Sequence, residues 1–226
     1  MSGYMDYFIR KSDPNKNEFF NYRPQRIPEE LRRKREQPSV ETDRPKYVKI
    51  REPEAASYVV LDFETTGMNC FANRIIEIGA VKVEDDEVSD TFTTLIDPKQ
   101  HITSFIRQKV HITNEMVAGQ PYIEDVLPDF VEFIGDLPIV AHNASFDMSF
   151  LLASAQRAGI SIENPAIDTL SLSRRYNKEC ARHNLEYLTN YFGIELKNAH
   201  RAYFDAAATQ KLYEIIRKKY LALKEV

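Results

Sequence analysis

Tyr58-Val59-Val60-Leu61-Asp62-Phe63-Glu64-Thr65-Thr66-Gly67 is the stretch on which the fold turns. Its first four residues are apolar, and so short an apolar run marks a strand buried on both faces. Asp62 and Glu64 then interrupt the run two residues apart, so on a strand both carboxylates leave the same face. A charge in such a run is costly unless something pairs with it. Thr65-Thr66-Gly67 turns the chain sharply and offers backbone N–H groups and hydroxyls at the strand's end. Two acids at a strand end also read simply as solvated groups, and this pair alone does not choose between the two readings.

Working outward, Arg74 to Val83 is a second strand, Glu84-Asp85-Asp86-Glu87 a turn, and Thr91 to Ile96 a third strand. These connections are too short for crossover helices, so the three strands form an antiparallel meander. Thr113, Met116 and Val117 suggest a short helix, and Pro121 opens a longer one through about Ile134. Leu137 to Ala141 is a fourth strand. Ser145 caps a helix whose apolar stripe is Phe146, Phe150, Leu151, Leu152 and Ala155, ended by Gly159. Ala166-Ile167-Asp168 is a fifth strand, followed by helices at Thr169–Tyr176, Leu185–Phe192 and from Ala202 to about Leu223. The expectation for residues 58–226 is an α/β domain, a mixed five-stranded sheet with an antiparallel meander, flanked by helices.

Residues 1–57 are a different kind of sequence, a proline- and charge-rich arm with prolines at 14, 24, 28, 38, 45 and 53. A short charged helix is expected from Pro28 through Glu36, opened by Glu29-Glu30 and closed by Arg32-Arg33-Lys34-Arg35 in favour of the helix dipole. The rest of the arm reads as mostly extended and partly disordered. Its aromatics (Tyr4, Tyr7, Phe8, Phe19, Phe20, Tyr22) are too many for a pure linker, so part of it is expected to pack on the domain or on a partner.

The chain has 226 residues, 43% of them hydrophobic, enough for one full domain and an appendage. No stretch approaches 18 uninterrupted apolar residues and the start lacks an apolar signal core, so the expectation is a soluble cytoplasmic protein with no membrane partner. Cys70 and Cys180 match no metal-ligand spacing and read as two free thiols in a reducing compartment. The net charge of −4 divides unevenly: residues 1–57 carry 13 Lys+Arg and 10 Asp+Glu, and the remainder 17 and 24. An acidic domain argues against binding nucleic acid through a global positive field, but not against local basic patches or bound cations.

Two further clusters carry the same chemistry as Asp62 and Glu64. They are His142-Asn143-Ala144-Ser145-Phe146-Asp147 and His200-Arg201-Ala202-Tyr203-Phe204-Asp205. Asp147 and Asp205 fall in the first turn of a helix, where a carboxylate is also at home as a simple cap. Acids that converge in a folded interior repel one another unless cations neutralise them. An oxygen-rich site suits Mg²⁺ or Mn²⁺, and a pair of such ions is a standard device for cutting a phosphodiester. The basic stretch Arg174-Arg175, Lys178, Arg182 and His183 reads either as a guide for a nucleic-acid backbone or as a solvated helix face.

Together the strings D-x-E-T-T-G, H-N-A-x-F-D and H-R-A-x-x-D resemble the three exonuclease motifs of the DnaQ-like superfamily, in its DEDD branch with a histidine in the last motif. The resemblance covers about Tyr58 to Lys219. Within the superfamily it is most similar to the proofreading epsilon subunits of bacterial DNA polymerase III and the exonuclease domains of PolC polymerases. It implies an RNase H-like fold and a 3′–5′ exonuclease that releases nucleoside 5′-monophosphates from single-stranded or frayed 3′ ends. It makes Asp62, Glu64, Asp147 and Asp205 the ligands of two divalent cations, Mg²⁺ or Mn²⁺, and His200 the general base. Thr65, Thr66, Gly67, Ile112, Met116, His142, Asn143 and Phe146 become the substrate side, although core packing is an equal reading for Ile112, Met116 and Phe146. The implied partners are single-stranded nucleic acid, DNA before RNA, and a DNA polymerase subunit. One segment departs from the family pattern: where its histidine-glycine-isoleucine-threonine string is expected, the chain reads Val110-His111-Ile112-Thr113. Asp168-Thr169 resembles a recurring family pair and reads as structural.

Overall fold

The computed structural model describes residues 45–225; the helix expected at Pro28–Glu36 and the arm's aromatics lie outside them. A single mixed sheet organises these residues. Its strands are β1 (Lys49–Ile50), β2 (Tyr58–Thr65), β3 (Ile75–Glu84), β4 (Glu87–Leu95), β5 (Ile139–Ala141) and β6 (Ala166–Asp168), in the spatial order β1-β6-β5-β2-β3-β4. β2, β3 and β4 form the expected antiparallel meander, while β5, β6 and β1 add in parallel beside β2. The sheet thus has a sixth strand beyond the five expected. It comes from Lys49–Ile50, inside the segment read as the arm, and was illegible because two residues carry no periodicity.

The β3–β4 turn is tighter than the sequence suggests. Asp85 and Asp86 both take positive φ (51° and 67°), which makes a two-residue hairpin of the type that matches strand twist. β4 therefore begins at Glu87 rather than Thr91, and its first four residues, Val88 among them, are exposed at the sheet edge.

The helices are α1 (Ser104–Val110), α2 (Asn114–Val117), α3 (Ile123–Ile134), α4 (Ala144–Ala158), α5 (Thr169–Tyr176), α6 (Leu185–Phe192) and α7 (Ala202–Lys224). α1 was not expected; Thr103 accepts a hydrogen bond from Ile106 N–H at its start and His111, at φ 57°, closes it. α3 begins two residues after Pro121 and tolerates Pro128 inside it. α4 begins at Ala144, with Asn143 rather than Ser145 in the cap position, in the left-handed conformation at φ 68°.

Alternation along β2 splits the core. Val59, Leu61 and Phe63 face α3 and α4 with Phe130, Phe150 and Ile78, whereas Tyr58 and Val60 face α7 with Val81, Val83, Leu212 and Tyr213. The Tyr58 and Tyr213 rings meet edge to face at 4.7 Å. Asp62 and Glu64 continue the α7-facing row past the point where its apolar residues stop. No helix of the described residues is long and apolar enough to cross a membrane. Cys70 and Cys180 are both buried and free of disulfides.

Candidate active site

Three elements aim carboxylates at one region near the C-terminal end of β2. Asp62 lies opposite Gly79 of β3, and Glu64 opposite Glu77, so these four positions share the face covered by α7. Gly79 is required there: a Cβ on it would sit 2.2 Å from the Ala202 carbonyl carbon and the Tyr203 nitrogen. The bare backbone lets the start of α7 rest on the strand, and that contact brings Asp205 over Asp62 and Glu64. Carboxylate oxygens of Asp62, Glu64 and Asp205 lie within 4.8 Å of one another.

Asp147 arrives from the other side. β2 runs past the end of β5, whose pairing with β2 stops at Val140, so the Phe63 N–H has no strand partner. Asp147 fills that position: its Oδ1 accepts the Phe63 N–H at 3.2 Å, and the side chain is 3% exposed. The carboxylate is thereby fixed to the backbone between Asp62 and Glu64. Asp168 holds the turn that delivers it, accepting the N–H groups of Asn143 (2.9 Å), Ala144 (3.3 Å) and Leu170 (3.1 Å).

Glu77 was not singled out in the sequence, yet it secures the third element. It is 3% exposed and accepts from Arg201 Nη2 at 2.7 Å, Arg201 Nε at 3.0 Å and the Ala202 N–H at 2.9 Å. The bidentate pair neutralises a carboxylate that would otherwise repel Glu64 directly across the ladder. Arg201 also donates its own N–H to Asp205 Oδ2 at 3.1 Å. The available signal was a glutamate inside the apolar run Ile75-Ile76-Glu77-Ile78, where a charge needs a partner.

The electrostatics are those of a crowded anion site. Desolvation, then Asp147, Glu64 and Asp205, push the Asp62 carboxyl well above its usual range. Glu64 rises to about 8 through desolvation and the charges of Asp205 and Glu77, with Lys109 opposing. Asp147 also rises to about 8, by desolvation outweighing its backbone hydrogen bonds, and Asp205 to about 6. Four carboxyls that resist ionisation together are a donor set for hard divalent cations, whose charge would remove the repulsion. Lys109, on the unexpected helix α1, is a basic group close enough to act on Glu64, and the sequence offered no motif to mark it.

His200 is exposed, in the loop before α7 at φ 66°. Its backbone N–H supports Asp205, while desolvation, Lys109 and His111 hold its imidazole below the ordinary range. No hydrogen bond joins its ring to the four carboxylates.

The remaining sequence candidates divide. Thr65 Oγ1 donates to Gly67 O at 2.7 Å and Thr66 Oγ1 to Gln100 Oε1 at 2.6 Å, so both hydroxyls brace the turn itself. Ile112 is fully buried, with Met116 packed against the same small cluster. Phe146 is half-buried, 5.0 Å from the Phe150 ring. Asn143 is exposed at its left-handed position. His142 Nδ1 shares a hydrogen bond with Thr169 Oγ1 at 2.9 Å, Nε2 is buried without a partner, and burial lowers its pKa. Of the basic stretch, Arg175 is held by Glu52 at 2.6 Å, and His183 Nδ1 is hydrogen-bonded to Ser173 Oγ.

The exonuclease family model RNase_T matches residues 59–213. Curated relatives include the PolC-type DNA polymerase III of Clostridium perfringens, 43% identical over 162 residues, which are 72% of this chain and 11% of that protein. The PolC-type enzyme of Halalkalibacterium halodurans is 46% identical over 158 residues, 70% of this chain and 11% of its own. The match thus spans only about a tenth of these relatives' length. Among solved structures, exonuclease X in complex with 5′ overhanging duplex DNA superposes with a TM-score of 0.57 at 28% identity, covering 71% of this chain and 91% of that one. Exonuclease I of E. coli, in complex with a dT13 oligonucleotide, reaches a TM-score of 0.66 at 17% identity over 76% of this chain and 43% of its own, a likeness of fold. A family match spanning most of the domain, and the RNase H-like sheet beneath it, lead to one conclusion: the chain belongs to the exonuclease family, as a DnaQ-like 3′–5′ exonuclease related to the exonuclease region of PolC.

Proposed function

We propose that the chain removes nucleotides one at a time from single-stranded or frayed 3′ ends of DNA, in a metal-dependent reaction that serves proofreading or repair. The observation that carries this reading is the convergence of Asp62, Glu64 and Asp205 within 4.8 Å, with Asp147 bonded to the strand between them. Asp62, Glu64, Asp147 and Asp205 would hold two Mg²⁺ or Mn²⁺ ions, which supply Lewis-acid activation of water and neutralise charge on the leaving oxygen. His200 takes the proton from the attacking water at a ring nitrogen, a task suited to an imidazole that is neutral at pH 7. Lys109 offers a positive charge to the phosphate beside Glu64. The Thr65–Gly67 turn and the His142–Phe146 segment flank the terminal nucleotide. DNA is favoured over RNA because the PolC polymerases are the similar curated proteins, and a polymerase subunit is the expected partner.

The test is digestion of 5′-labelled single-stranded DNA and RNA of one sequence with Mg²⁺, Mn²⁺ or EDTA. A metal-dependent ladder from the 3′ end of DNA, absent for Asp147→Ala, is the expected result. Faster shortening of RNA would move the substrate to RNA, and no cleavage of either would leave a binding module with a silent site.

A further inference from the structure

Next to the Thr65-Thr66-Gly67 turn lies a cavity of about 330 Å³ that the exonuclease reading does not use. Arg74, Lys99 and Arg157 line it together with an apolar floor of Ile75, Ile96 and Ile123. The two arginines are spent only on neutral groups. Arg157 donates from Nη1 to the Cys70 carbonyl at 3.3 Å and from Nη2 to Ser154 Oγ at 2.9 Å, while its Nε is buried without a partner. Arg74 Nη1 donates to the carbonyls of Phe71 (3.2 Å) and Asn73 (2.9 Å). Neither guanidinium forms an ion pair among the described residues. They are also near enough to repel: desolvation and then Arg74 hold Arg157 below its ordinary range.

Two acids share the lining and only partly offset this. Asp97 Oδ1 accepts the Lys99 N–H at 2.9 Å, and Glu124 attracts Arg157 without reaching ion-pair distance. A desolvated cation without a counter-charge is costly, and the planar arginine fork matches phosphate oxygens. The volume is at the lower end of small-molecule sites, enough for more than a bare anion.

We propose that this cavity binds a phosphate monoester of mononucleotide size, with Arg74 and Arg157 on the phosphate and the isoleucine floor beneath the nucleoside. Gln100 also lines the cavity, and it accepts from Thr66 Oγ1 and donates to the Ala72 carbonyl at 3.1 Å. An occupant therefore braces the turn that follows Glu64. The site is separate from the acidic cluster, and its occupancy does not require the exonuclease reading.

The test is calorimetric titration of the full chain in EDTA, which keeps cations out of the acidic cluster, using inorganic phosphate and thymidine 5′-monophosphate. Saturable binding is expected in the wild type and in Asp147→Ala, weakened roughly 10- to 100-fold by Arg157→Gln or Arg74→Gln, the loss for a charged hydrogen bond. Arg74→Lys, which keeps the charge and removes the fork, should fall between. Tighter binding of the nucleotide than of phosphate places the nucleoside on the isoleucine floor; equal affinities confine recognition to the phosphate. No saturable binding overturns the proposal, as do equal affinities in wild type and folded arginine variants. Binding lost in Asp147→Ala but kept in the arginine variants would place the ligand on the acidic cluster and likewise overturn it. Should Arg157→Gln fail to fold, Arg74→Gln and Arg74→Lys decide the matter.

Discussion

Asp147 shows how much one side chain can be asked to do at the residue scale. It replaces a strand partner for Phe63 N–H and adds negative charge to a cluster already crowded by Asp62, Glu64 and Asp205. Asp147→Ala should abolish cleavage while leaving single-stranded DNA binding measurable by anisotropy. His200→Ala should lower the rate roughly 10²- to 10⁴-fold, the usual range for a general base, and single-turnover kinetics would check it. The raised carboxyls also fix a pH dependence. Between the unfolded values near 4 and the folded values of about 8 for Glu64 and Asp147, the folded state holds protons that the unfolded state has released. In EDTA, the contribution of these carboxyls to stability should therefore be complete below about pH 4 and decline as the pH rises towards 8, and Mg²⁺ should remove most of that decline in thermal melts. The convergence of the four carboxylates was legible because acids at strand ends and helix starts stand out against apolar runs. Lys109 was not, since its relation to Glu64 exists only once α1 has folded against the sheet end.

At the scale of the element, the seating of α7 decides whether the acids meet. The strand surface beneath it is bare only at Gly79, and the Glu77–Arg201 pair clamps the helix start from beside that point. Gly79→Ala should displace α7 and cost activity more than fold, read as a raised Mg²⁺ half-saturation with retained far-UV circular dichroism. Glu77→Ala should lower stability by roughly 3–5 kcal/mol, the usual cost of stranding one member of a buried pair, measured by urea unfolding. The meander, β5, β6 and helices α4 to α7 were legible because each carries a clear period or cap. The start of β4 was missed because Glu87 to Asp90 is an exposed edge with no apolar alternation. α1 was missed because its residues bury only Val110, so it has no apolar stripe to announce it. Hydroxyls favour the cap position, which points to Ser145 in the sequence; in the structure Asp168, from another element, satisfies the N–H groups there.

For the whole molecule, the segment before β2 acts as a strap. Lys49–Ile50 pairs with β6, Glu52 receives Arg175 and the Tyr176 hydroxyl, and Glu54 receives Lys224 and, at 2.7 Å, the Tyr220 hydroxyl. Each exposed ion pair is worth little alone, but together they tie α5 and α7 to one sheet edge. Deleting residues 1–57 should therefore lower the melting temperature by several degrees relative to deleting residues 1–44, by differential scanning fluorimetry. The sequence marked the composition change near residue 57 but not this strap, because its partners lie more than a hundred residues away.

That separation has a kinetic meaning. β1 precedes every other described element in synthesis, yet Ala166 and Ile167, the residues it pairs with, are made only after the meander and α4. The strap must wait, unpaired, while the rest of the sheet assembles, so its docking is expected as a late step of folding, after the loop it closes has been shortened by the core inside it.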